Sequence, residues 1–251
     1  MKQRRICTMR AGVAIRGVLV FLLAFVLGRA ACFVKTELST IRLADISGED
    51  GKDAEETENS GEYQELPKKI ALTFDDGPNP LYTNKLLQGL KKRDVKATFF
   101  LLGKEVELYP EIVKKIKEDG HLIGVHSYEH VNFSQIGDEA AMRQIQTTGD
   151  AIEAVAGEYP GFIRPPYGCW KKSLNDKVPM IEVLWDVDPL DWATTNKDVV
   201  ARRIIKAVNG GGTIILLHDA SSSSVQAAFA VIDALSEQGY EFVTVEELLL
   251  E

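Results

Sequence analysis

From Pro67 to Glu251 the chain alternates between two hydrophobic periods. Short apolar runs predict strands over Lys69–Phe74, Ala97–Leu102, His121–His126, Gly161–Arg164, Met180–Val187, Thr213–Leu217 and Glu241–Thr244. The stretches between them predict helices over Leu81–Arg93, Pro110–Asp119, Gly137–Ala156, Lys197–Val208 and Val225–Gln238. In the second of these, Ile112, Val113 and Ile116 share one face and Gly120 follows as a stop. Strands and helices in alternation imply a largely parallel sheet with helices outside it. Seven predicted strands in residues 67–251 suit a small or incomplete β/α barrel better than a full eightfold one. A doubly wound open sheet is the alternative, which periodicity alone does not separate.

The first 66 residues break this pattern. Residues 1–36 hold Lys2, Arg4, Arg5, Arg10, Arg16, Arg29 and Lys35 and no acid. The uncharged run Gly17–Gly28 is shorter than the roughly 17–25 residues of a membrane span and suits the core of a signal peptide. Apolar character resumes at Ala30–Val34, and an Arg near a helix end can reach the headgroups. Gly17–Val34 therefore also reads as an uncleaved anchor with its basic end in the cytoplasm, and the long segment before the apolar run favours the anchor. Gly28-Arg29-Ala30 offers a small-x-small cleavage site, while Arg29-Ala30-Ala31-Cys32 ends like a lipoprotein signal with Arg where an apolar residue belongs. Each reading sends the remainder out of the cytoplasm, membrane-anchored or secreted, and confines membrane contact to this segment. Residues 37–66 set ten acids against Arg42 and Lys52. They read as an acidic, disordered, self-repelling linker.

Composition narrows the class. At 45% hydrophobic and 26% charged residues, the chain of 251 is ordinary globular protein, which excludes a wholly disordered, collagen-like or polytopic membrane chain. A net charge of −8 repels phosphates and argues against nucleic-acid binding. Cys7, Cys32 and Cys169 form no CxxC pair and no disulfide framework.

Ionisable residues gather at the C-terminal ends of five predicted strands, the edge where parallel α/β architectures build sites. Asp75-Asp76 follows the first, and His126-Ser127-Tyr128-Glu129-His130 the third. Arg164-Pro165-Pro166-Tyr167, Asp188-Pro189-Leu190-Asp191-Trp192 and His218-Asp219 follow the fourth, fifth and sixth. Asp-Gly-Pro is ordinary turn chemistry, but two adjacent carboxylates also repel unless a cation or a division of roles separates them. His126 and His130, at i and i+4, face the same way if the segment is helical and can then share a metal. Asp76 would complete a two-His, one-carboxylate set with positions open for water and substrate. Three of the four histidines lie at these strand ends, and His121 reads as an ordinary structural residue.

Taken together, these segments resemble the NodB-homology polysaccharide deacetylases. The five motifs of that family appear in order as Thr73-Phe74-Asp75-Asp76-Gly77-Pro78, His126-Ser127-Tyr128-Glu129-His130, Arg164-Pro165-Pro166-Tyr167, Asp188-Pro189-Leu190-Asp191-Trp192 and Leu216-Leu217-His218-Asp219. The resemblance covers nearly all of residues 67–251, the expected catalytic domain. It implies a distorted, incomplete (β/α) barrel and metal-dependent removal of acetyl groups from a sugar. It implies further that Asp76, His126 and His130 hold one divalent metal, that Asp75 is the catalytic base, and that His218 is the general acid. Arg164 would position Asp75, Asp191 would pair with His218, Trp192 and Leu216 would wall the acetyl-methyl pocket, and Tyr167 would supply a backbone N–H to the oxyanion. Trp192 and Leu216 read equally well as core residues.

The chemistry is consistent with that division. An N-acetyl amide is a poor electrophile, so a metal must polarise its carbonyl, a base must take the proton of the attacking water, and the leaving amine must be protonated. Two His and one carboxylate suit zinc, and also cobalt, manganese or iron. Residues 169–179, with weak periodicity and Pro179, are expected to form an irregular loop where many relatives carry a helix, and Cys169 reads as a small buried thiol rather than a reactive one. The expected function is extracytoplasmic deacetylation of N-acetylated glycan in the cell wall, with peptidoglycan N-acetylglucosamine first and a monomer as the working unit. Chitin-oligomer or poly-N-acetylglucosamine deacetylation, acetyl-xylan de-esterification and a non-catalytic glycan-binding role are the alternatives.

Overall fold

The computed structural model describes residues 68–250. The predicted anchor or signal over 1–36 and the acidic linker over 37–66 lie outside them. The described residues form one parallel sheet of β1 (Lys68–Asp75), β2 (Thr98–Leu101), β3 (Leu122–Val125), β4 (Phe162–Ile163), β5 (Ile181–Glu182), β6 (Thr213–His218) and β7 (Tyr240–Val243), in the order β5-β4-β3-β2-β1-β6 with β7 beside β1. β1 is the central strand. One of its sides pairs with β6 from Ile70 to Asp75, and the other carries β7 along Lys68–Ala71 and β2 along Thr73–Asp75.

The helices are α1 (Thr83–Lys92), α2 (Gly103–Leu108), α3 (Pro110–Glu118), α4 (Asp138–Ala156), α5 (Lys197–Ala207), α6 (Ser222–Ser236) and α7 (Val245–Leu250). Their ends follow local chemistry. Pro110 opens α3, where a missing N–H costs nothing. Gly157, at φ 76°, closes α4. The Asn196 side chain caps α5 by accepting from Asp198 and Val199 N–H. α6 begins three residues before the predicted Val225, because Ser221 accepts the Ser224 N–H at 3.0 Å. α2 and α7 were not anticipated, since six residues are too few for a 3.6-residue period to show. No helix among the described residues is long and apolar enough to cross a membrane.

Side-chain parity divides the sheet into two faces. Ile70, Leu72 and Phe74 of β1, Phe99 and Leu101 of β2, and Ile215 and Leu217 of β6 join the large core with the helices. Ala71, Phe100, Phe162 and Ile214, of the opposite parity, meet Val183 and Val245 in a small second core within the curled sheet. Helices α1–α6 therefore cover one face while the other closes on itself around Val245 of α7, which excludes the doubly wound alternative.

The closure explains the main departure from the predicted strands. The run Met180–Val187 is not one strand. Ile181–Glu182 pairs with β4 at one edge of the sheet, and Val187 forms a parallel bridge with Ile215 at the other. A segment that touches both edges cannot remain straight, so the ladder breaks between them. The carbonyls of Val183 and Leu184 in the break are taken by the buried Arg164 guanidinium, through Nε at 3.1 Å and Nη2 at 3.0 Å. Residues 169–179 are irregular as expected, with a 3-10 turn over Lys172–Leu174. Asp138 at the start of α4 tethers them through Ser173 Oγ and the ammonium groups of Lys171 and Lys177.

Gly124 faces inward on β3, and a Cβ there would stand 2.6 Å from the Phe100 ring and 3.0 Å from the Phe162 carbonyl oxygen. The Arg164 guanidinium lies over that same ring, 4.2 Å from its centroid. Gly124→Ala is therefore expected to destabilise the fold by about 1–3 kcal/mol through overpacking. Thermal denaturation should show a Tm lowered by several degrees, and an unchanged Tm would refute the close packing.

Candidate active site and metal centre

The parity that builds the small core also builds the site. Continuing each inward column by two residues passes from Thr73 to Asp75, from Gly124 to His126, from Phe162 to Arg164 and from Leu216 to His218. The β1–β6 register sets Asp75 directly opposite His218. The result is an open cleft of about 1120 Å³ lined by Asp75, Asp76, His126, His130, Tyr167, Asp191, Trp192, Leu216 and His218. Of the sequence-predicted site residues only Arg164 is absent from the cleft wall, because it lies buried beneath it.

Asp76, His126 and His130 each offer a ligand atom, and these atoms lie within 4.8 Å of one another. Asp76 Oδ1 stands 3.5 Å from His126 Nε2 and 3.3 Å from His130 Nε2. It is buried and has no hydrogen-bond partner among the described residues, a costly state for a carboxylate oxygen. His126 Nδ1 lies 2.7 Å from the Arg164 carbonyl oxygen, an acceptor only, so Nδ1 carries the proton and Nε2 presents its lone pair. Burial pushes the His126 pKa down against the pull of Asp75 and Asp76, which favours the neutral form a ligand needs. His130 Nδ1 meets the Tyr167 hydroxyl at 3.2 Å, and the two rings lie edge to face. Lone-pair donors from two imidazoles and one orphaned carboxylate oxygen fit a divalent cation. The i,i+4 spacing does not act through a helix, the condition on which the sequence placed the two histidines on one face. The segment is a turn with left-handed backbone at Ser127 and His130, at φ 66° and 61°.

Asp75 sits beside this set. Arg164 Nη1 donates to Asp75 Oδ1 at 2.8 Å and to Thr73 Oγ1 at 2.6 Å, and Thr73 Oγ1 donates in turn to the Ile215 carbonyl at 2.7 Å. Asp219, the last residue of the fifth motif, tucks under the Asp76-Gly77 turn, where its carboxylate leaves no room for a Cβ on Gly77. Thr83 Oγ1 donates to Asp219, whose pKa burial pushes up to about 7.

Across the cleft, Asp191 holds His218 twice. Its Oδ1 accepts from Nδ1 at 2.8 Å and its Oδ2 from the His218 backbone N–H at 2.9 Å. Burial alone would lower the His218 pKa, but the hydrogen bond and charge of Asp191, with the charges of Asp75 and Asp76, raise it to about 9. Burial would raise the Asp191 pKa, but the hydrogen bond and charge of His218 hold it below the ordinary carboxylate range. Leu190 at φ 54° and the bond from Arg203 Nη1 to the Pro189 carbonyl shape the loop that presents Asp191.

The remaining sequence-predicted residues differ in exposure. Leu216 is buried at the cleft wall, whereas Trp192 is 68% exposed and Tyr167 65% exposed at its rim. Tyr167 has left-handed backbone at φ 61°. Cys169 is half-buried rather than buried, with Sγ 3.6 Å from the Tyr167 carbonyl oxygen. His121 is buried away from the cleft, and its Nδ1 accepts the Ala97 N–H. Sequence reasoning missed Trp185 and the serines Ser221, Ser223 and Ser224, and gave no role to Asp188 of the fourth motif, all of which line the cleft. Of the missed residues, the serine run carried a signal, the N-cap of α6.

The polysaccharide deacetylase family model matches residues 63–181. The chain is 43% identical over 181 residues to the peptidoglycan-N-acetylmuramic acid deacetylase PdaC of Bacillus subtilis, covering 72% of this chain and 38% of that protein. It is 35% identical over 213 residues to the peptidoglycan-N-acetylglucosamine deacetylase PgdA of Listeria monocytogenes, covering 83% and 45%. The chain thus spans less than half the length of these two relatives. It is 37% identical over 200 residues to a peptidoglycan-N-acetylglucosamine deacetylase of Bacillus cereus, covering 75% and 70%. The solved structure of B. subtilis PdaC superposes with a TM-score of 0.71 at 42% identity, covering 73% of this chain and 90% of that one.

The Asp191–His218 pair makes a pH prediction. A histidine whose folded pKa lies above its unfolded value of 6.5 stabilises the fold fully below 6.5 and loses that contribution as pH rises through about 9. NMR titration of the chelator-treated protein should place the His218 midpoint near 9, and Asp191→Asn should move it down by well over one unit, since burial then acts with less opposition. A midpoint unmoved by Asp191→Asn would show that Asp191 does not hold the ring charged.

Proposed function

The chain belongs to the polysaccharide deacetylase family, and we propose that it is a metal-dependent hydrolase removing acetyl groups from N-acetylated cell-wall glycan, with peptidoglycan N-acetylglucosamine as substrate. The observation that carries this reading is the meeting of Asp76, His126 and His130 beside an Arg-held Asp75, with the Asp191–His218 pair across the same cleft. Asp76, His126 and His130 would hold the cation, zinc by the donor set, with cobalt, manganese or iron as alternatives. When bound, it would polarise the acetyl carbonyl and make the attacking water more acidic.

The chain's own residues supply the rest. Asp75 accepts a proton from water as its oxygen adds to the acetyl carbon. Arg164 keeps that carboxylate aimed into the cleft and leaves one oxygen free. The Tyr167 backbone N–H donates to the developing oxyanion. Leu216 and Trp192 flank the acetyl methyl, one from the wall and one from the rim. His218, charged through Asp191, gives its Nε2 proton to the nitrogen as the C–N bond breaks, so acetate and an amine leave. Residues 67–251 form the catalytic domain, and the basic apolar segment and acidic linker carry it outside the cytoplasm.

Relatives named for N-acetylmuramic acid and for N-acetylglucosamine both resemble this chain, so the amino sugar is a question for assay. Acetate release should be measured from peptidoglycan, chitin oligomers and acetyl-xylan, with product sugars identified, before and after chelation and add-back of single metals. Release from peptidoglycan glucosamine units, abolished by chelator and restored by zinc, is expected. Asp75→Asn should lower turnover on the order of 10²–10⁴-fold. Chelator-resistant turnover, or full activity in Asp75→Asn, would overturn the mechanism.

A further inference from the structure

The turn between the two metal-binding histidines holds strain that its own residues do not offset. Ser127 and His130 both have left-handed backbone, at φ 66° and 61°. Such residues cost energy and persist only where the surroundings over-determine them. Here the surroundings can be named bond by bond. On one side, the N–H groups of Gly103 and Lys104, opening α2, donate to the carbonyls of Ser127 at 3.0 Å and Tyr128 at 3.3 Å. On the other side stands Gln144 of α4. Its Oε1 accepts the Tyr128 N–H and the Glu129 N–H, both at 2.9 Å, and its Nε2 donates to Glu129 Oε2 at 3.0 Å. One side-chain amide therefore satisfies two consecutive backbone donors and anchors the side chain immediately before His130.

We propose that Gln144 is a positioning residue for the metal centre, locking the Ser127–His130 turn so that His130 Nε2 faces Asp76 Oδ1 and His126 Nε2. The proposal rests on the metal reading given above. The chemistry of the contact is specific. The turn requires an acceptor with two lone pairs for adjacent N–H groups, and a donor for the Glu129 carboxylate, which a carboxamide combines on two separate atoms. Alanine provides neither. Glutamate would provide the acceptor but would set a second carboxylate against Glu129. Exchanging the two residues, Glu129→Gln with Gln144→Glu, keeps one amide and one carboxylate. Both N–H groups then find an acceptor, and the side chain–side chain bond reforms with donor and acceptor reversed. Gln144 itself lines neither the cleft nor the cation site, so its effect must travel through the turn.

The test is zinc affinity of the metal-stripped full chain, read by competition with a chromogenic chelator, together with the Tm of the metal-free protein. Four proteins are compared: wild type, Gln144→Ala, the Glu129→Gln/Gln144→Glu exchange, and His130→Ala. Outer partners of metal ligands are typically worth about 10–100-fold in affinity. Gln144→Ala is expected to weaken zinc binding by roughly that factor at a nearly unchanged metal-free Tm, and the exchange is expected to recover most of it. Wild-type affinity in Gln144→Ala, with binding lost in His130→Ala, would overturn the positioning role and leave the metal site standing. Equal loss of affinity and Tm in Gln144→Ala with no recovery in the exchange would reduce Gln144 to a structural residue and also overturn it. Absence of zinc binding in wild type would overturn the metal reading itself.

Discussion

The buried guanidinium of Arg164 is the constraint around which the site is arranged. Arginine does not shed its proton inside a protein, so a fully buried one must bring its partners with it. The fold supplies four: Asp75 Oδ1, Thr73 Oγ1 and the carbonyls of Val183 and Leu184. Those partners come from the centre of the sheet and from the segment that closes it. The Arg164 backbone carbonyl, meanwhile, orients His126. A single residue thus ties the aim of the carboxylate, the tautomer of a ligand and the break in the barrel wall together. Loss of the guanidinium would leave Asp75 buried without its ion pair and two strand-break carbonyls without donors. Changes of that kind cost several kcal/mol rather than the fraction typical of a surface pair.

Because β-strand side chains alternate, the inward column of each strand is set by its outward one. Ile70, Leu72 and Phe74 must face the helices to bury their surface, and this alone sends Thr73 and Asp75 inward. The same reasoning turns His126, Arg164 and His218 into the barrel. A slip of one residue in any of these strands would expose the apolar column and empty the site in the same step, so the hydrophobic core and the chemistry enforce one register.

This coupling explains what the chain displays openly and what it conceals. The strands at Lys69–Phe74 and Thr213–Leu217 and the polar residues after them are legible because period-two patterning and strand-end placement are local properties. The division of Met180–Val187 is not legible, since eight mostly apolar residues look alike whether they pair with one edge or two. The spacing of His126 and His130 would put them on one face of a helix, yet a strained turn brings them together, and the groups that hold it, Gly103, Lys104 and Gln144, come from elements remote from the motif. Ser221 has the chemistry of a cap, but the three serines that follow it offer the same chemistry, so the sequence does not mark which one opens α6. Burial was harder to foresee than position. Trp192, adjacent to the buried Asp191, lies at the exposed rim because a 3-10 turn over Asp191–Ala193 points consecutive side chains apart.

The two halves of the cleft set the same residue type to opposite tasks. His126 is buried and His218 half-buried, and loss of water pulls the pKa of each downward. What separates them is the atom that meets Nδ1. For His126 it is a neutral backbone carbonyl, which fixes the tautomer but does not overcome desolvation, leaving Nε2 a lone-pair donor. For His218 it is the Asp191 carboxylate, whose charge reverses the sign of the shift and leaves a proton on Nε2 at neutral pH. The proposed hydrolysis, which would hold a cation on one side and protonate a leaving amine on the other, calls for both outcomes within one cleft. The β1–β6 register then places Asp75 in the row opposite His218, so the residues assigned as proton acceptor and proton donor in the proposed hydrolysis stand on neighbouring strands.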